Sequence, residues 1–374
     1  VICMTSRIDY DKQLIIIIVI LTAIGTTIMF SASSPFAVQF GSNLFFLKRH
    51  IIALIIGMGS LIYLSIFNYR QFQILAPWII VLAILTVLAG FYFNSSNGPA
   101  RWLLYSNGKK MITTSDFMKF GMIIFTAFYL TKYRKDLDDF LKIILPYFVL
   151  AGFTVFTILI QPDLSTSLAI AVILGLMLFI GGVKMSHLLY AAGSAFVLVM
   201  LSVLRNPYQR TRVLSWLNPN SNISTTNWQS YNAKIALGNG GIIGTGIGDS
   251  SMKHGYLPEA HTDFIYSVIG EELGILFSML ILILFALLFI RAVKISQNAP
   301  DPFGMFLALG IGINIAVYAC INVAYVSGLL PTTGLPLPFI SYGGTHTVCT
   351  LASMGILLNI SHEGNKKLKK RYAR

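Results

Sequence analysis

The residues best suited to chemistry in this sequence are carboxylates placed where a carboxylate is costly. Asp263 closes the run Tyr256-Leu257-Pro258-Glu259-Ala260-His261-Thr262-Asp263 and leads directly into an apolar stretch, so it stands at the mouth of a membrane-length helix. There the helix dipole and free N–H groups stabilise an ionised carboxylate by about 0.3–1 kcal/mol. Thr262 or Asp263 would serve equally as a plain N-cap. Glu271 and Glu272 lie deeper in the same stretch, where ionisable side chains mark function, helix packing or gating. On a regular helix Glu271 falls roughly 80° around from Asp263 and about 12 Å along the axis, beyond the about 5–9.5 Å of a glycosidase carboxylate pair. Asp163, in Gln161-Pro162-Asp163, marks another helix junction, as a functional acid or as an ordinary turn and cap. His261 is the one histidine beside a candidate acid, and the six histidines are too dispersed for a metal triad.

A glycine-rich run, Gly238-Asn239-Gly240-Gly241-Ile242-Ile243-Gly244-Thr245-Gly246-Ile247-Gly248, invites a nucleotide-binding reading. It fits neither G-x-G-x-x-G ahead of a helix nor G-x-x-x-x-G-K-[ST]. It is therefore expected to let a loop bend tightly over the membrane surface. The cysteines Cys3, Cys320 and Cys349 make neither a disulfide framework nor a metal knuckle.

The elements that must position these residues follow from composition. The 374 residues are 55% apolar and only 11% charged, against roughly 25% charged in soluble domains, so most of the surface must face lipid. Apolar stretches at about 13–32, 50–67, 74–93, 116–131, 143–160, 164–183, 187–204, 264–290, 304–327 and 342–360 predict ten helical spans. The first reads as a retained span and not as a cleaved leader. With the N-terminus inside, 16 of the 27 Lys and Arg residues fall on the cytoplasmic side, which puts both termini in the cytoplasm. The C-terminal run from Lys366 to Arg371 reads as a stop signal and anionic-lipid anchor. Residues 1–374 are expected to form one all-α polytopic membrane domain, with long extracytoplasmic loops at 94–115 and, between helices 7 and 8, at 205–263. Eleven basic residues meet five acidic ones on the outer side. Such a cationic rim suits an anionic substrate, or is merely a set of solvated charges.

Several blocks, taken together, resemble the SEDS family (shape, elongation, division and sporulation) of peptidoglycan polymerases. They are Phe45-Phe46-Leu47-Lys48-Arg49, Asn97-Gly98-Pro99-Ala100-Arg101-Trp102, Gln161-Pro162-Asp163-Leu164, and Pro207-Tyr208-Gln209-Arg210-Thr211-Arg212 with Asn218-Pro219. The last two are long: Leu257 to Ile265 with Gly270-Glu271-Glu272-Leu273-Gly274, and Gly334-Leu335-Pro336-Leu337-Pro338-Phe339-Ile340-Ser341-Tyr342-Gly343-Gly344. The Phe-Leu-Lys-Arg block, the Lys253 to Ala260 stretch and the Gly-Leu-Pro-Leu-Pro block look more like the FtsW division branch, while Lys234-Ile235-Ala236 leans toward the RodA elongation branch. Thr113-Thr114-Ser115-Asp116 replaces the family's Gln-Pro-Ser-Glu, Ser165 stands where a glycine is usual, and residues 220–227 lack the family's Asp-Pro and Gly-Tyr pattern.

The resemblance implies polymerisation of lipid II at the outer face of the bacterial cytoplasmic membrane. An acceptor 4-hydroxyl attacks the donor's anomeric carbon and undecaprenyl pyrophosphate leaves. Asp263 is the implied base. Arg101, Lys119, Arg210 and Arg212 are implied to grip pyrophosphate, Trp102 to pack on sugar or lipid, and Asp163 and His261 to line the substrate site. A divalent cation, Mg or Mn, is compatible with this chemistry, although no motif marks its ligands. The implied partners are a class B penicillin-binding protein with transpeptidase activity and other division proteins; no nucleic acid is implied. A lipid II flippase using Glu271 and Glu272 is the competing reading. Against it, the densest motif lies at one face and not at the midplane where transporter sites sit. A scaffold for the division machinery is compatible with either.

Overall fold

In the computed structural model, residues 10–94, 103, 105–106, 109–110, 113–161, 163–219 and 227–372 are described. Ten long helices occupy the ten expected positions: α1 (Lys12–Ala37), α2 (Phe45–Ile66), α3 (Arg70–Asn94), α4 (Thr114–Lys132), α5 (Leu145–Ile160), α6 (Leu164–Gly181), α7 (Met185–Arg205), α10 (Ile265–Gln297), α11 (Pro302–Val326) and α12 (Gly344–Tyr372). A wider turn, Phe140–Ile144, leads into α5. Two shorter helices, α8 (Pro207–Leu217) and α9 (Trp228–Asn239), occupy part of the long connection before α10. A two-residue ladder, β1 (Tyr105–Ser106) against β2 (Lys109–Lys110), pairs antiparallel with Tyr105 opposite Lys110.

Local chemistry sets many of the ends. Asp11 accepts from the Leu14 amide at the start of α1, and Asp301 does the same for Gly304 at the start of α11, with Pro302 in the first turn. The core centres on α11, where 72% of the spanning residues are buried; α7 is peripheral, with 6% buried. The buried apolar cluster draws on α1, α4, α6, α10, α11 and α12.

Eight of the described helices are both long and apolar enough to cross a bilayer. Helices α4 and α12 have the length but carry more polar side chains. Those side chains are buried within the bundle: Asp116 and Lys119 on α4, and His346, Thr347, Thr350, Ser353 and Asn359 on α12. Burial against protein is what makes such residues tolerable at membrane depth.

The eighth span departs from a regular helix. Gly274 has φ 74° and ψ −178°, which breaks α10, and the glycine run after α9 packs into the break. Thr245 and Gly246 donate their amides to the carbonyls of Glu271 and Glu272, and the Ile275 amide, on the far side of the break, reaches the Gly241 carbonyl. Backbone groups freed by the break are thus repaired by another chain segment, as a lipid environment requires. The approach is so close that a Cβ at Gly240 would collide with the Gly270 carbonyl. Gly240 has an ordinary helical φ, so the penalty there is purely steric. Gly240→Ala is therefore expected to cost more than about 2 kcal/mol. Gly238→Ala, with open space around it, should be neutral or slightly stabilising. Thermal unfolding of both in detergent checks this, and equal midpoints would mean that the joint is not tight.

Candidate active site

Asp263 sits one residue before Phe264, which occupies the N-cap position of α10. The expectation that Thr262 or Asp263 caps this helix does not hold. Its half-buried carboxylate instead faces Gly334, whose φ is +76°; a Cβ there would lie 3.0 Å from Oδ2. The backbone beside it is held from two sides. Asn322 Nδ2 donates to the carbonyls of Asp263 at 3.0 Å and Leu335 at 2.7 Å, and the Tyr325 hydroxyl bridges the same pair. Side chains of α11 therefore lock the Asp263 segment to the Gly334-Leu335 segment. Among the described residues, Glu259 (φ 56°) and Phe339 (φ 65°) are the two non-glycines in the left-handed region. Both lie in the two stretches that meet at Asp263, the kind of strain that clusters at functional sites.

The loop that carries Asp263 is anchored by the two glutamates. Glu271 accepts from the Ser250 hydroxyl, from the Ser251 hydroxyl at 2.8 Å and from the Met252 amide at 3.4 Å. Glu272, with 0% side-chain exposure, pairs with Lys253 at 2.8 Å, and Ser31 of α1 joins them. The 80° and 12 Å of a regular helix do not describe their relation to Asp263, because Asp263 precedes the helix and both carboxylates turn toward the loop. Asn232 of α9 adds a bond to the Tyr256 carbonyl.

The other expected site residues divide. Arg101 and Trp102 lie outside the described residues. Asp163 is the N-cap of α6, accepting from the Thr166 amide at 3.1 Å and hydroxyl at 2.9 Å, so its carboxylate is engaged as a cap. His261 is buried among Phe36, Phe46 and Tyr342. Burial pushes its pKa below the usual 6.5 while nearby Glu259 opposes the shift, so the ring is a neutral packing element at neutral pH. Lys119 is the largest departure. Its ammonium is 1% exposed, 3.0 Å from Asp116 and 4.0 Å over the Tyr318 ring, with His346 Nδ1 also on Asp116. It is a buried ion pair within the bundle and does not present its charge at the rim.

Arg210 is exposed on α8, one of two short helices that the span pattern did not show. Arg212, on the same helix, reaches the Thr332 carbonyl at 3.0 Å and the Tyr208 hydroxyl. Together with Trp216, which donates to the Gly328 carbonyl, it ties α8 to the segment that faces Asp263. Sequence reasoning passed over Asn322 and Tyr325, which look like ordinary core residues of an apolar span. It also passed over Lys234, noticed only as part of a motif. Among the described residues no three His, Cys, Asp or Glu side chains are grouped to hold a metal ion. An Mg or Mn ion at this site would rest mainly on substrate phosphates, as Mg sites commonly do.

A family model described as "Cell cycle protein", FTSW_RODA_SPOVE, matches residues 12–366. The chain belongs to this family. Its relatives include the probable peptidoglycan glycosyltransferase FtsW of Geobacter metallireducens, 37% identical over 94% of both chains. Stage V sporulation protein E of Bacillus subtilis is 34% identical over 96% of this chain and 98% of that one. Among solved structures, the chain resembles one described as "Structural coordination of polymerization and crosslinking by a peptidoglycan synthase complex". That match has a TM-score of 0.77 and 25% identity, covering 95% of this chain and 98% of the other. The rod shape determining protein RodA of Thermus thermophilus shares the fold, with a TM-score of 0.66 and 22% identity over 95% and 97% of the two chains. The expected family and its polytopic helical fold are thus found.

The burial of Lys119 changes what its substitution should do. Lys119→Met leaves an ionised Asp116 inside the bundle without its ammonium, a change that typically costs about 3–5 kcal/mol. A large drop in thermal midpoint is expected. A normal midpoint with lost substrate affinity would instead return Lys119 to the substrate site.

Proposed function

We propose that this chain is a peptidoglycan glycosyltransferase that polymerises lipid II into glycan strands during cell division. It works at the outer face of the bacterial cytoplasmic membrane, with both termini in the cytoplasm, and releases undecaprenyl pyrophosphate. The observation that carries the reading is Asp263: a carboxylate fixed at its own backbone by Asn322 and Tyr325, facing a glycine that leaves its oxygens room. Relatives bearing the glycosyltransferase name over 94% of the chain support it.

In this mechanism Asp263 accepts the proton of the acceptor's 4-hydroxyl as that oxygen bonds to the donor's anomeric carbon. The bond from that carbon to the diphosphate breaks, and its electron pair leaves with the diphosphate. Such a leaving group needs cations and not a proton, so one carboxylate suffices and no glycosidase-type partner acid is called for. Arg210 and Arg212 of α8, with Arg101, supply positive charge; His261, Asp163 and Lys119 act through packing, capping and the buried ion pair. The flippase reading drew on Glu271 and Glu272, but both carboxylates are occupied in anchoring the loop, which removes its main support. A class B penicillin-binding protein is the expected partner, in keeping with the synthase complex that this fold resembles.

Asp263→Asn keeps the shape of the side chain and removes the basic oxygen. The purified variant should fold, bind lipid II and its transpeptidase partner, and lose at least about 10²-fold in strand formation, the lower end of what a general base supplies. Gel analysis of glycan strands from lipid II checks this. Substantial polymerisation by the variant would remove Asp263 from the reaction, and lipid II translocation without strands from the unmutated chain would favour the flippase.

A further inference from the structure

The glycine run after α9 descends along α10 and then returns. Gly240 lies against the Gly270 carbonyl. The carbonyls of Gly241 and Ile242 accept from the amides of Ile275 at 3.0 Å and Leu276 at 3.4 Å, and Thr245 and Gly246 come back to the carbonyls of Glu271 and Glu272. Ile242 and Ile243 therefore stand at the turning point. Gly244, with φ +93° and no room for a Cβ beside the Glu272 carbonyl, begins the return.

The two side chains at the turn face away from the protein. Ile243 is 82% exposed, more than any other large apolar side chain among the described residues, and Ile242 is 65% exposed. Ile247 on the returning limb is exposed too. Beside them Ile275, Leu276, Met279, Leu280 and Ile283 of α10 are also exposed, on a helix that carries no charge from there to Arg291. Residues 240–248 are likewise uncharged, and the first charge after the turn is Asp249.

Two helices give the depth of this turn. Beyond Gly274 α10 is regular, so Ile275 lies about 24 Å along the axis from Arg291. Arg291 is paired with Asp11 at the opposite end of the bundle, and a hydrocarbon core is about 30 Å thick. Ile275 and the turn bonded to it thus fall about 6 Å inside the apolar layer on the Asp263 side. Along α1, Ser31 stands about 30 Å from Asp11, which puts the group of Ser31, Glu272 and Lys253 at the boundary itself. The turn hangs on the membrane side of that group. Its bonds to α10 satisfy backbone groups that lipid could not.

We infer that Ile242 and Ile243 insert among the acyl chains of the leaflet nearer Asp263, so that the glycine run is a re-entrant membrane loop. Lipid is the occupant that the depth and the uncharged, exposed surface specify. The same loop continues into Ser250, Ser251 and Lys253, so the inserted turn fixes the height at which Glu271 and Glu272 hold the Asp263 loop. That height is independent of which reaction the site performs.

The test reads the depth of a nitroxide label in the full-length chain, made cysteine-free by Cys3→Ala, Cys320→Ala and Cys349→Ala and placed in nanodiscs of phosphatidylcholine and phosphatidylglycerol. Labels at Ile243→Cys and, as a second position, Ile242→Cys should collide with oxygen in preference to a water-soluble nickel chelate, to the same degree as a label at Ile275→Cys. A label at Asp249→Cys should show the reverse preference. Thermal midpoints equal to that of the cysteine-free chain establish that each labelled protein is folded. If the chelate reaches positions 242 and 243 as readily as 249, the turn lies in water and the inference is overturned. Labels shielded from both reagents in the chain alone would overturn it as well, since the turn would then be packed against protein. Addition of a class B penicillin-binding protein should leave the oxygen preference unchanged. Shielding that appears only on that addition would make the turn a docking surface for the partner and remove lipid as its occupant.

Discussion

A break in one membrane helix, repaired by the backbone of a loop, is the constraint from which the rest of this site follows. Gly274 interrupts α10, and a helix interrupted at membrane depth exposes carbonyl and amide groups that lipid cannot satisfy. The Gly240 to Gly246 segment bonds to both sides of the break, and it can do so only because a glycine with no side chain lets two backbones meet. Glu271 and Glu272, one residue pair on the last turn before the break, then grip the following stretch through Ser250, Ser251 and Lys253. The chain that leaves this grip is the one that ends in Asp263.

The second boundary of the site comes from α11. Asn322 and Tyr325 stand on the most buried helix of the bundle and bind the carbonyls of Asp263 and Leu335 together. Asp263 is thus set by two neighbouring spans through backbone atoms. The charges of the molecule sort along the same line. Those deep in the bundle, Lys119 with Asp116 and Lys253 with Glu272, are paired and buried, where breaking a pair costs about 3–5 kcal/mol. Arg212 and Lys234, toward the surface, line a cavity between α8, α9 and the end of α11 and form no salt bridge among the described residues.

Much of this was legible in the sequence because membrane spans are written as long apolar stretches. All ten helices lie where those stretches predict them, and Asp263 stands at the head of the eighth. What the sequence did not reveal depends on partners distant in the chain. Lys119 reads as an outward cation by its place near the start of a span, yet Tyr318 and His346, about 200 residues or more away, enclose it. His261 sits beside Asp263 in sequence but is drawn into a cluster with Phe36 and Phe46 from the first two spans. The glycine run fits no nucleotide-binding spacing; that it seals a broken helix is visible only once both segments are in place. Asp163 carries both readings in the sequence, and the structure shows it bonded twice to Thr166 as the cap of α6.

On the proposed mechanism the glutamates of α10 hold Asp263 in place without touching substrate. Glu271→Gln tests it most directly, because glutamine keeps the size of the side chain but offers an N–H₂ where both carboxylate oxygens now accept hydrogen bonds. Initial rates of strand formation from lipid II should show kcat reduced by about tenfold or more with KM within about twofold, the signature of a lost transition-state arrangement with substrate binding kept. An unchanged kcat would mean that the loop reaches its active position without the Glu271 anchor.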